Sequence, residues 1–258
     1  MEQNTNELVK SMLAGEKTAL ARLITIIEED GPDVPKIMEL LSPHLHNAYR
    51  IGVTGPPGAG KSSLINRLIT LFRCEGLSVG VIAVDPSSRI SGGAVLGDRI
   101  RMQQHYLDKE VFIRSMATRG SYGGLSKAVR TVIDLLDASG KDIIIIETSG
   151  AGQTDVDVME IADTVLLVMV PGLGDTIQHM KAGLLEVANI IAINKADRDL
   201  NGAEILAADL RSELAVCHGR EDIPIVLTQS TNNLGIEELY QELEKLRCLA
   251  NSQPEKQL

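Results

Sequence analysis

From Tyr49 onward the chain alternates short, almost unbroken apolar runs with longer stretches whose apolar residues recur every three or four positions. The runs predict strands at Arg50–Thr54, Ser78–Val84, Glu110–Ser115, Asp142–Glu147, Asp163–Val170, Asn189–Ile193 and Ile223–Thr228. Ile143–Ile146 and Val165–Val170 carry no polar residue, as expected of strands covered on both faces. The intervening periodicity predicts helices at Lys61–Glu75, Gly124–Ala138, Thr176–Ala188, Gly202–Ala215 and Ile236–Leu249. Such alternation implies an α/β fold, a mostly parallel, doubly wound sheet of about seven strands flanked by helices.

Residues 6–47 read differently. Leu8, Met12, Leu13, Leu20, Leu23, Ile24 and Ile27 fall at helical spacing until Gly31-Pro32 stops the run, and a second short helix is predicted over Pro35–Leu41. This stretch is too short to bury a core alone. The expected organisation is a helical extension at 1–48, the α/β domain at 49–250, and a frayed polar tail at 251–258.

Composition narrows the function. Apolar residues make up 44% of the 258 positions but aromatics only 2%, so Ile, Val, Leu, Ala and Met must build the core. A formal charge of −10 argues against a nucleic-acid surface. Cys74, Cys217 and Cys248 are far apart, which suggests neither a disulfide framework nor a zinc site. The polar N-terminus and the lack of an apolar run of about 20 residues lead to the expectation of a cytoplasmic protein without a membrane partner.

Between the first predicted strand and helix stands Gly55-Pro56-Pro57-Gly58-Ala59-Gly60-Lys61-Ser62, followed by Ser63. This is a P-loop in its required strand–loop–helix setting. Its amides form an anion nest, strengthened by the positive end of the helix dipole. A side chain at Gly58 or Gly60 is expected to hold those amides away from phosphate oxygens. Lys61 is expected on the β- and γ-phosphates, and Ser62 on Mg²⁺. Domain 49–250 is thus a nucleoside-triphosphate domain.

The base is chosen further on, where Asn194-Lys195-Ala196-Asp197 follows a predicted strand. A buried carboxylate at Asp197 accepts from N1–H and the 2-amino group of guanine, and adenine leaves it unpartnered. Such mismatches discriminate by on the order of 10⁴ to 10⁵. Asn194 is expected on the O6 side and the Lys195 stem over the base face. Together the motifs predict a GTPase.

A GTPase needs carboxylates for Mg²⁺ and segments that sense the γ-phosphate. Asp85 and Glu147 end predicted strands, and Asp98 lies in a glycine-rich stretch; helix caps or turn residues are the other reading of all three. Gly150 can bring an amide to the γ-phosphate, and Gln153 can orient the attacking water or be a surface glutamine. Candidate catalytic residues are therefore Lys61, Glu147 and Gln153. No arginine finger is assigned among Arg89, Arg99 and Arg119.

The P-loop, Val-Asp-Pro-Ser-Ser (84–88), Leu-Gly-Asp-Arg-Ile-Arg-Met (96–102) and Phe-Ile-Arg-Ser-Met-Ala-Thr-Arg-Gly (112–120) resemble the MeaB/ArgK group of GTPases. So do Gly-Gly-Leu-Ser (123–126), Glu-Thr-x-Gly-x-Gly-Gln (147–153), Pro-Gly-Leu-Gly-Asp (171–175) and Asn-Lys-Ala-Asp. The resemblance implies a GTP-driven chaperone that assists cofactor loading or protection of an adenosylcobalamin-dependent acyl-CoA mutase. It implies Ser62, Asp85, Asp98 and Glu147 around Mg²⁺, and a further switch over Pro171–Glu186 with Asp175 and Lys181. Ser149 and Ala151 stand where relatives usually carry Val, and the Ser-Ala signature near guanine is reduced to Ser230 and Thr231. Relatives continue past Gly235–Leu239 into a dimerisation arm, so a homodimer is expected from resemblance alone. Two alternatives stay open: an ATP/GTP-dependent protein kinase linked to amino-acid transport, and a metal-insertion GTPase, which would need clustered Cys or His ligands.

Overall fold

A computed structural model describes residues 2–85, 102–117, 127–150, 160–172, 183–218 and 220–252. Seven strands form one parallel sheet in the order β3-β2-β4-β1-β5-β6-β7, which bears out the α/β expectation. They are β1 Tyr49–Thr54, β2 Val79–Asp85, β3 Val111–Ala117, β4 Ile143–Thr148, β5 Thr164–Met169, β6 Ile190–Asn194 and β7 Ile225–Thr228. The P-loop leaves the C-terminal end of β1, where the strand order reverses and ligands of open α/β sheets bind.

The chain divides into two compact units, Met1–Arg50 with Phe72–Ile145, and Ile51–Leu71 with Ile146–Leu258. In the first, the predicted single N-terminal run is two helices, α1 Glu2–Leu13 and α2 Lys17–Glu28, followed by α3 Val34–Leu41. The break falls at Gly15, whose φ of +92° lies in the left-handed region that ends helices. Met12, Leu23, Ile24, Ile37 and Leu41 are fully buried, and α2 and α3 pack on α5, Lys127–Ala138. From α5 the buried Asp137 carboxylate accepts the backbone N–H groups of His46, Asn47 and Ala48, fixing the chain just ahead of β1. Lys17 Nζ donates to the Asp108 and Val111 carbonyls at 2.6 and 2.7 Å, pinning the start of α2 to the start of β3. Burial lowers the Lys17 pKa, partly offset by Asp108 and Glu110.

The second unit holds β5, β6 and β7 in consecutive parallel pairs. Val165, Leu167 and Met169 of β5 share one buried cluster with Ile191 and Ile193 of β6. Covering it are Leu184 and Leu185, from a helical stretch at 183–187 (α6), and Ala203, Ala207, Leu210 and Leu214 of α7, Leu200–His218. That last spacing is the single stripe a helix turns to a sheet. α8, Ile236–Ser252, packs on β5, β6 and β7 through Ile236, Leu239 and Leu243. The remaining helix, α4 Lys61–Cys74, starts at the P-loop lysine. Among the described residues no helix is long and apolar enough to cross a membrane.

Candidate functional site

Six residues join β1 to α4, and the first turn of α4 leaves backbone N–H groups without intrahelical acceptors at the loop. Gly55, Pro56 and Ala59 are buried, Gly60 is half-buried, and Pro57, Gly58 and Ser63 are exposed. Lys61, only 6% exposed, donates from Nζ to the carbonyls of Gly55 (2.7 Å), Pro56 (3.1 Å) and Ser149 (3.3 Å). Its ammonium is therefore folded over the loop that the motif assigns to phosphate.

Ser62 Oγ donates to Glu147 Oε1 at 2.7 Å, with both residues buried. β4 delivers Glu147, and the next residue, Thr148, bonds Thr54 Oγ1 at 3.1 Å, tying the ends of β4 and β1 together. A hydroxyl and a carboxylate side by side are hard oxygen donors, and that chemistry fits Mg²⁺. Asp85 is the last residue of β2. Asp98 and Gln153 lie outside the described residues, as do Arg89, Arg99, Arg119, Asp175 and Lys181.

The glycines have more specific reasons than phosphate clearance. At Gly60 a Cβ would stand 2.4 Å from Asn194 Nδ2, and at Gly150 it would stand 1.8 Å from the Gly55 carbonyl oxygen. At Gly58, whose φ is +77°, a Cβ meets no other part of the protein within 4 Å. Gly60 thus makes room for the base-side motif, and Gly150 for the passage of its strand end against the P-loop.

The base-side motif leaves β6 with Lys195 in the left-handed region, φ +59°. Asn194 is 1% exposed, and its side chain is a hub. Nδ2 donates to the Ala59 carbonyl at 2.8 Å, while Oδ1 accepts from Ser230 Oγ (2.9 Å), Ser230 N (3.3 Å) and Thr228 Oγ1 (3.3 Å). Asn194, expected beside O6, clamps the P-loop to the segment after β7. Lys195 Nζ reaches the Gly58 carbonyl at 2.5 Å, so its stem runs back along the loop. Asp197 sits in a 3₁₀ turn with its side chain exposed. The Asp197 carboxylate, expected to be buried, is exposed.

A family model described as methylmalonyl Co-A mutase-associated GTPase MeaB matches residues 20–257. The chain belongs to the MeaB family. Its MeaB-type GTPase character is matched by a protein of Pyrococcus abyssi named as a GTPase, 51% identical over 94% of this chain and 76% of that one. A fused isobutyryl-CoA mutase of Cupriavidus metallidurans is 40% identical over 90% of this chain, which corresponds to 22% of the larger protein. A solved structure titled LAO/AO transport system kinase superposes with a TM-score of 0.77 at 27% identity, covering 98% of this chain and 78% of that one. This MeaB-family chain is a GTPase, as its two motifs predicted.

Sequence reasoning missed Arg67, on α4. Its Nε donates to the Ser230 carbonyl at 2.9 Å and its Nη2 to the Thr231 carbonyl at 3.3 Å. Thr231 itself is exposed. It also missed Thr54, Thr148 and Thr228, each a hydroxyl whose partner lies on another strand or loop. No local pattern marks such residues, because their partners are remote in sequence.

Proposed function

We propose that this GTPase assists an adenosylcobalamin-dependent acyl-CoA mutase, with guanine nucleotide as the switch that governs cofactor loading or protection. The observation that carries the reading is the fused relative, in which a segment similar to most of this chain is part of one polypeptide named as a mutase. Joining two modules in one chain raises their effective concentration, an arrangement that suits partners acting together.

In this reading Lys61 exchanges its carbonyl partners for β- and γ-phosphate oxygens, since charge-assisted bonds to an anion are stronger. Ser62 and Glu147, joined by Asp85 and Asp98, hold Mg²⁺, which neutralises phosphate charge when bound. Asp197 accepts from the guanine N1–H and 2-amino groups, with Lys195 along the base and Ser230 and Thr231 beside it. Gly150 to Gln153 forms one switch, with Gln153 orienting water, and Pro171–Glu186 forms a second that answers the partner. A homodimer is the proposed assembly, checked by sedimentation.

The test is reconstitution. An acyl-CoA mutase is loaded with adenosylcobalamin with and without this protein, GTP and a non-hydrolysable analogue. Nucleotide-dependent binding and a changed loading rate support the reading; no binding and no effect under any nucleotide sink it. The similar structure named as an LAO/AO transport system kinase favours a second reading, phosphate transfer to another protein. Labelled GTP separates the two: label released as inorganic phosphate supports the GTPase switch, and label retained on protein supports the kinase.

A further inference from the structure

Arg67 is not among the residues assigned to phosphate or metal, yet it holds two successive carbonyls of the loop that carries Ser230 and Thr231. Its planar fork suits that task, with Nε and Nη2 directed in parallel at neighbouring acceptors. Each carbonyl fixes a peptide plane. Every described peptide is trans, so the N–H of the Ser230–Thr231 peptide points away from its carbonyl and hence away from Arg67. Ser230 is held from its other side by Asn194 Oδ1, through both its N–H and its hydroxyl. Arg67 thus fixes the Ser230–Thr231 peptide and Asn194 the peptide before it, so two consecutive peptide planes of this loop are held, one by a charged side chain and one by a buried amide.

A fixed N–H donor is selective by sign. It favours a base with a carbonyl at position 6, as in guanine or hypoxanthine, over adenine, which presents an amino donor there. We infer that Arg67 is a positioning residue for base choice: from the P-loop helix it holds the Thr231 N–H toward the 6-position of the purine. The inference rests on the guanine-nucleotide reading and adds to it a residue that does not contact the ligand. It also divides the labour, with Thr231 and Arg67 governing the 6-position and Asp197 the N1–H and 2-amino positions.

The experiment compares wild type, Arg67→Ala and Arg67→Lys for affinity toward GTP, ITP, ATP and inorganic triphosphate, with melting temperature alongside. Losing charge-assisted bonds to two carbonyls should lower the GTP-to-ATP preference of Arg67→Ala by about tenfold. The GTP-to-ITP ratio should stay unchanged, since both bases keep O6, and inorganic triphosphate should bind as in wild type. Lysine, able to keep one carbonyl, should recover part of the preference; it also serves if the alanine variant does not fold. An unchanged GTP-to-ATP ratio in the folded variants, or an equal loss for inorganic triphosphate, would overturn the inference. Wild type binding ATP as well as GTP would instead remove the guanine reading beneath it.

Discussion

The two ends of the candidate site are built on opposite plans. At the phosphate end the groups expected to meet ligand are themselves buried: Lys61, Ser62 and Glu147 are each 6% exposed or less and already bonded to one another's neighbourhood. At the base end the expected reader, Asp197, is exposed, while Asn194, three residues before it, is buried and bonded to the P-loop and the loop after β7. In the proposed reading a triphosphate brings enough charge to draw Lys61 off three carbonyls. A purine edge brings only a few hydrogen bonds, so its reader stays in water and its frame is made rigid beforehand. Asn194 links the plans, because it bonds the P-loop at Ala59 and the base loop at Ser230.

The sharpest way to separate the ends is Lys61→Ala. It should weaken GTP and inorganic triphosphate alike, by on the order of a hundredfold or more, measured by calorimetry; a loss confined to GTP would contradict the division. Asn194→Ala comes next, because it leaves the Ala59 carbonyl and the Ser230 hydroxyl without their buried partner. About 3 kcal/mol of stability should go, and GTP preference over ATP should fall with it, read by melting and by competition. Gly150→Ala forces a Cβ onto the Gly55 carbonyl at a left-handed φ of +77°. A cost of roughly 1–3 kcal/mol is expected, with triphosphate affinity reduced and base preference intact. The smallest effect belongs to Thr54→Val, which removes the bond to Thr148; about 1 kcal/mol in chemical denaturation and no change in base preference are expected.

What could be read in advance follows the same divide. The P-loop is contiguous, and its strand and helix neighbours lie next to it, so the strand–loop–helix setting of Lys61 and Ser62 was legible. The strands were legible too, with ends displaced by a residue or two, because buried parallel strands are apolar throughout. The break at Gly15 was not, since Met12 and Leu20 keep their helical phase across it and nothing in the periodicity shows the turn. Asn194 was identified as a site residue, but its 2.8 Å bond to Ala59, 135 positions away, was not foreseen, because no tetrapeptide encodes that. Arg67 was missed for the same reason, its acceptors lying 163 and 164 positions on.

In the proposed reading the Asp197 carboxylate chooses the base. Replacing Asp197 by Asn turns one acceptor oxygen into a donor amide, which mismatches the guanine 2-amino group and matches the carbonyl that xanthine carries there. Titrating wild type and Asp197→Asn with GTP and XTP should show GTP favoured by the first and XTP by the second. Equal GTP affinity in both proteins, with XTP bound no better by the variant, would contradict the account.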